Sequence, residues 1–359
     1  MRGEPCSQQA ALDALTLLAL PRVGVREWHR RVADAGSPAA ALRRVTASDR
    51  DTAERDATDA IARANTLGCD LLVHGQSGYP AALHDLTSCD DSAITPAPPV
   101  LFAQGDTALL ARPTVALVGT RHATAAGLRA AERIARECAD AGALVLSGLA
   151  RGIDAAAHTG ALNAAGATAA IIGTGIDVAY PADHRALHRR LAREGLLLTE
   201  RLPGARATRG SFPERNRLIA ALAQVTVVVE AGHRSGALLT ARAAIALNRH
   251  CAAVPGAFDV AACLGSNELL RDGAQVIASV DDVLALLRLA RADHQQAAPP
   301  VLLTDAERAI WNVLGSAPLE LDLIVERAGW AADACLAAVT TLELKGLVRA
   351  TGDGALHRT

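Results

Sequence analysis

The residues of this chain that could do chemistry gather in short, glycine-containing stretches. The most informative is Ser147-Gly148-Leu149-Ala150-Arg151-Gly152-Ile153-Asp154. Small residues let the backbone turn sharply and present its N–H groups, and Arg151 adds a permanent positive charge. An apolar run (143–146) precedes the stretch and a helical pattern (155–165) follows it, so it opens a helix, the place where backbone amides hold anions. The same device returns in Gly119-Thr120-Arg121, in Ser211 to Arg217 and in Ser235-Gly236. Ser211-Phe212-Pro213-Glu214 fits a capping box, with Ser211 capping and Glu214 reaching back. That places Arg215, Asn216 and Arg217 in the first helical turn. Successive helical residues diverge by about 100°, so at most two of these three face one pocket. Asn216 is expected to point inward and brace the loops.

Charge sharpens this picture. Residues 200–217 hold five arginines (Arg201, Arg206, Arg209, Arg215, Arg217) against Glu200 and Glu214, a formal +3 in a chain whose net charge is -2. Lys345 is the only lysine, so guanidinium groups carry the positive charge, and their planar forks suit phosphates. Aromatic residues are only 2% of the chain, with Tyr180, Phe212 and Phe258 near the strand ends. A nucleic acid held here would lean on phosphate contacts, which are salt-sensitive and sequence-tolerant.

Several chemistries lose support at this level. Gly119 is followed by Thr-Arg, and Gly173-Thr174-Gly175 lacks a third glycine, so no dinucleotide fingerprint is met; no G-K-[ST] loop exists either. No cofactor is expected. Seven cysteines without a C-x-x-C pair read as free thiols in a reducing cytosol, with no metal site. His158 lies four residues after Asp154 on one helical face. The pair suits acid–base work or a structural hydrogen bond holding the Ser147 loop. No nucleophile is identifiable beside it, so the structural role is preferred, with Asp154 capping its helix and orienting Arg151. No catalytic residue is expected. No signal sequence or membrane span is visible, so the chain reads as cytoplasmic, with no membrane partner.

The elements that must position these residues follow from periodicity. From Thr114, seven short apolar strands (115–118, 144–146, 168–172, 196–199, 225–229, 251–254, 275–278) alternate with helices. That pattern predicts an α/β parallel sheet covered on both faces, with ligands at the carboxyl ends of its strands. Residues 10–65 read as helices. Pro21-Arg22-Val23-Gly24 separates two of them, either as a helix-hairpin-helix touching a phosphate or as an ordinary helical hairpin. Residues 69–102 show short apolar runs among turn residues. Residues 291–303 read as a linker. Three helices and a hairpin over 304–359 give the winged-helix order. That unit holds eight acids and five bases, which favours a protein-contact or dimer module over a major-groove reader.

The chain resembles the DNA-processing protein A (DprA, or Smf) family. The resemblance rests on Val-Gly-Thr-Arg (118–121), Ser-Gly-Leu-Ala-Arg-Gly-Ile-Asp with a following Ala-His (147–158), Tyr-Pro (180–181), Phe-Pro-Glu-Arg-Asn-Arg (212–217), Ser-Gly-Ala-Leu-Leu-Thr-Ala-Arg (235–242), Val-Pro-Gly (254–256) and Gly-Ser-Asn (265–267). It implies an extended Rossmann-like parallel-sheet domain (66–290) that binds single-stranded DNA. A small helical, sterile-alpha-motif-like domain (1–65) and a C-terminal winged-helix domain (304–359) would flank it. It further implies a homodimer that loads the RecA recombinase onto incoming DNA in natural transformation, counters the single-strand-binding protein and catalyses nothing. Carried over by motif, Arg121, Gly148, Arg151, Arg215 and Arg217 form the DNA pocket, and Ser235 and Gly236 border it. Gly119, Thr120, Ser147, Gly152, Arg185 and Asn216 join them as DNA-binding candidates, and Asp154, His158, Ser211 and Glu214 as supports. Departures fall at Thr199-Glu200-Arg201-Leu202, at Asn248-Arg249, and at His184. The family's basic residues near Tyr-Pro tend to be lysines, and Arg185 is the nearest candidate here. The alternative is a nucleotide-cleaving hydrolase of the phosphoribohydrolase type, whose Pro-Gly-Gly-x-Gly-Thr loop is not what stands at Val254-Pro255-Gly256-Ala257-Phe258.

Overall fold

A computed structural model describes residues 8–164, 166–208, 210–290, 303–314, 318–351 and 355–358. The chain divides into two compact units, Met1–Ala292 and Asp293–Thr359. A nine-stranded sheet organises the first. Its strands are β1 (Asp70–Val73), β2 (Val100–Gly105), β3 (Thr114–Val118), β4 (Leu144–Ser147), β5 (Thr168–Ile171), β6 (Leu196–Thr199), β7 (Val225–Val228), β8 (His250–Ala253) and β9 (Gln275–Val276). Their spatial order is β1-β2-β6-β5-β4-β3-β7-β8-β9. From β6 to β9 every pairing is parallel, as expected. β1 and β2 are additions. They lie in the stretch whose sequence reads as broken apolar runs, and they extend the sheet antiparallel, β2 beside β6 and β1 beside β2.

Alternation explains the continuous apolar strands. Ala116, Val118, Leu144 and Leu146 enter the core on one face of the sheet. Val115, Leu117 and Val145 enter the core on the other, with Ala131, Ile134, Ala135 and Cys138 of the Ala125–Asp140 helix. A strand buried on both sides has no solvent face to mark with polar residues. Each buried leucine or isoleucine contributes roughly 1.5–3 kcal/mol relative to exposure.

The helices Gln8–Ala19, Val25–Ala35, Pro38–Leu42 and Ala47–Thr66 form as the N-terminal region predicts. Arg22 turns the first pair at a φ of 64°. Trp28, 1% exposed, donates its ring N–H to the Ala14 carbonyl at 3.1 Å. These helices share a core with Phe102, Ala170, Ile172 and Leu197, so they belong to the first compact unit and pack against the β1-β2-β6-β5 end of the sheet.

The second unit contains the helices Asp305–Val313, Leu321–Ala328 and Ala332–Leu344, then β10 (Val348–Ala350) and β11 (Leu356–Arg358) in an antiparallel hairpin. Leu319 bridges to Leu356. Thr304 and Glu307 form a capping box, and the Glu307 carboxylate also accepts from Lys345 Nζ at 2.8 and 2.9 Å. The order is that of a winged helix. Cys6, Arg209, linker residues 291–302 and the hairpin tip 352–354 lie outside the described residues.

Candidate functional site

The chain builds β3 to β6 outward to one side, then returns to lay β7 against the other side of β3. Helices leaving β3 and β7 therefore part company, and the loops at the carboxyl ends of these two strands open a gap. That is the switch point where ligands sit in open α/β sheets. A crevice of about 830 Å³ lies there. Gly119, Thr120 and Arg121 line it from β3, Ala150 and Asp154 from the β4 side, Arg215 and Asn216 from the Ser211–Leu222 helix, and Ser235 and Gly236 from β7. Four stretches far apart in sequence thus meet at one place.

Close backbone packing holds these loops together. Thr120 N–H donates to the Glu230 carbonyl at 2.7 Å, and Ile153 N–H donates to the Thr120 carbonyl at 3.3 Å. Gly152 has a φ of 75°, and a Cβ there would overlap the Thr120 carbonyl oxygen. The Asp154 carboxylate accepts from the Gly148 and Ala150 amides at 3.1 and 3.3 Å, fixing the 147–154 loop. Asn216 braces the opposite side by donating to the Gly236 carbonyl at 3.2 Å.

Arg215 forms part of the lining although it is only 4% exposed. Its guanidinium donates to the Ile171 carbonyl, while its Nε finds no partner among the described residues. Burial lowers its pKa to about 10, with Asp154 opposing the shift and Arg121 adding to it. Burial likewise raises the Asp154 pKa, against the pull of Arg215 and the loop amides. Arg121 is exposed, and its guanidinium carbon lies 5.3 Å from the Phe212 ring centroid. Tyr180 and Phe212 lie 5.1 Å apart at 36°, so a cation and a tilted aromatic pair share the rim. The sequence signals this pair only through the scarcity of aromatics. Arg234, just before the Ser235-Gly236 motif, also lines the crevice.

Other expected positions lie elsewhere. Arg217 turns away: its guanidinium donates to Glu200 (2.7 and 3.0 Å) and to the Thr95 and Pro96 carbonyls (2.9 and 3.2 Å). The helical divergence that brings Arg215 and Asn216 to the crevice sends Arg217 into the protein. Arg151 pairs with Asp183, not Asp154, and Arg185 stands exposed at the start of the Arg185–Glu194 helix. Ser147 is fully buried and donates to the Leu117 carbonyl at 2.6 Å. Gly148 makes room for the Arg215 guanidinium rather than for a ligand.

The capping box at Ser211 does not form. Gly210 is the N-cap, Ser211 bonds Thr208, and the Glu214 carboxylate pairs with Arg201. His158 does not pair with Asp154 either. The Thr168 hydroxyl donates to the Val145 carbonyl, so it accepts from His158 Nδ1–H at 2.8 Å. Among the described residues no cluster of His, Cys, Asp or Glu is placed to hold a metal ion, and no helix is long and apolar enough to cross a membrane.

Residues 70–288, which carry the whole crevice, match the family described as DNA recombination-mediator protein A. The chain belongs to that family. A DprA winged-helix domain match follows over residues 294–354. Among DNA recombination-mediator relatives, the putative DNA processing protein DprA of Mycobacterium tuberculosis is 42% identical over 257 residues, covering 70% of this chain and 66% of that protein. This chain therefore spans just under two thirds of that relative's length. The DNA processing protein DprA of Streptococcus pneumoniae is 39% identical over 203 residues, 56% of this chain and 72% of that protein. The X-ray structure of DNA processing protein A from Streptococcus pneumoniae superposes with a TM-score of 0.61 at 32% identity, covering 77% of this chain and 94% of that one. DNA processing protein A from Helicobacter pylori, solved for its single-stranded DNA binding mode, superposes at 0.53 with 30% identity, covering 61% of this chain and 95% of that one.

Proposed function

We propose that this protein binds single-stranded DNA in the crevice between the β3 and β7 loops and acts as a mediator that passes the strand to a RecA-type recombinase. The observation that carries the reading is the rim at Arg121: an exposed guanidinium over Phe212, which in turn lies beside Tyr180. A phosphate meets the cation and an unstacked base meets the rings, a pairing suited to single strands because stacked duplex bases hide their faces. Arg215 in the lining and the amide ends of the helices after β7 and β6 add fixed positive potential. The single-stranded DNA binding mode described for the Helicobacter pylori protein supports the same assignment.

In this reading the protein is a binder rather than an enzyme. Asp154 and His158, the candidate acid–base pair, are each engaged in holding loops and strands. Displacement of the single-strand-binding protein, homodimerisation and a role in natural transformation belong to the same proposal and rest on family membership.

The test is fluorescence anisotropy of single- and double-stranded oligonucleotides across ionic strength. Single strands are expected to bind more tightly. Arg121→Ala is expected to weaken all single-stranded sequences alike and to flatten the log–log salt slope by about 0.7, one phosphate contact's worth. Equal affinity for both forms, or an unchanged slope in the variant, would overturn the assignment.

A further inference from the structure

We infer that the strand held in the crevice continues along a second, separate phosphate track on the Arg185–Glu194 helix; this rests on the reading of the crevice as a single-strand site. Arg185, Arg189 and Arg193 stand at i, i+4 and i+8, on one helical face, and all three are exposed. Among the described residues none of their side chains pairs with an acid or donates a hydrogen bond. Their neighbour Arg190 behaves differently. It is held by Glu194 at 2.7 Å, by Asn163 Oδ1 at 3.2 Å and by the Leu162 carbonyl at 3.1 Å.

Helix stability does not account for the row. Like charges four residues apart repel. Arg185 sits in a first turn that has no acid, at the positive end of the helix dipole. Only Arg193, in the last turn, gains from the dipole. Three unpaired cations that strain their own helix call for an anion from outside.

The beginning of the row is fastened to the crevice. The His184 ring, just before the helix, bonds the Leu149 carbonyl at 3.0 Å, and Asp183 pairs with Arg151. Tyr180 and Ala150, which line the crevice, belong to these same two loops. Each four-residue step advances about 6 Å along the helix axis, so the row offers cations at regular intervals to a polyanion leaving past Tyr180. The helix's exposed positions carry no aromatic residue. The track therefore binds phosphodiester groups and reads no bases.

The experiment uses the full chain carrying Arg189→Ala and Arg193→Ala, neither of which lines the crevice, with oligothymidylates of six and twenty nucleotides. Thermal unfolding first checks that the variant folds like the parent. The twenty-mer is expected to lose at least tenfold in affinity and about 0.7 of salt slope per arginine removed, while the six-mer keeps its affinity. An unaffected twenty-mer would overturn the track and leave the row for an acidic protein surface. Equal weakening of both oligomers would also overturn it, because the row would then act on the crevice itself. Failure of the parent protein to bind either oligomer would instead sink the crevice reading, and the track with it.

Discussion

The guanidinium of Arg215 occupies the space that a side chain on Gly148 would need. It cannot move aside freely, since it is buried, donates to the Ile171 carbonyl and faces the Asp154 carboxylate. Gly148→Ala is therefore expected to destabilise by about 1–3 kcal/mol, the usual cost of overpacking, and to weaken single-strand binding by displacing a cation of the lining. Urea unfolding and anisotropy on the same preparation check both effects. An unchanged urea midpoint would mean the guanidinium yields without cost.

Arg217 makes the opposite prediction to Arg121. Its ion pair with Glu200 is nearly enclosed, with side-chain exposures of 6% and 12%. Arg217→Ala leaves that carboxylate and two carbonyls without their donor, a loss of about 3 kcal/mol or more. The folded fraction is expected to bind single strands as the parent does. A variant with full stability but weakened binding would return Arg217 to the crevice.

Acid should loosen the fold through the buried His158 and the half-buried His74. Burial, reinforced by Arg215 and His184, holds His158 down to about 3; burial, with His29 and His84 nearby, holds His74 down to about 4. Both folded values lie below the unfolded value near 6.5. Their contribution is therefore complete above pH 6.5 and shrinks as pH falls toward 4, by up to about 1.4 kcal/mol per pH unit for each histidine. His158→Leu is expected to flatten the stability profile between pH 6.5 and 4. Thr168 keeps its own bond to the Val145 carbonyl there. Superimposable profiles for parent and variant would refute the assignment.

The winged-helix unit is expected to be dispensable for holding single strands. The third helix, Ala332–Leu344, contains Asp333 and Glu343 and no base, and Lys345 beyond it is tied to Glu307. Removing residues 301–359 should change single-strand affinity by less than roughly twofold, since no cation on that helix awaits a phosphate. A much larger loss would assign the unit a direct part in binding.

The parallel strands, the loops at their ends and the winged-helix order were legible because each depends on local signals. Apolar runs of four or five residues mark doubly buried strands, and glycine with arginine after such a run marks a strand-to-helix turn. β1 and β2 were not legible. An antiparallel edge pair is defined by its partners, and nothing in residues 69–102 says that β2 will lie beside β6, which follows it by some ninety residues. The capping box at Ser211 failed for a related reason: the pattern was present, yet Thr208 and Arg201 offered Ser211 and Glu214 other partners.

Composition and spacing by themselves determined which residues are candidates: arginines and small residues at the ends of buried strands, on an α/β scaffold. Only the tertiary structure decided which of them share a space. Whether Arg215 faces the crevice while Arg217 meets Glu200, and whether Gly148 leaves room for a ligand or for a guanidinium, depends on side chains converging from strands far apart in the chain. Helical and strand periods set the direction of each side chain, but only packing sets what it meets there.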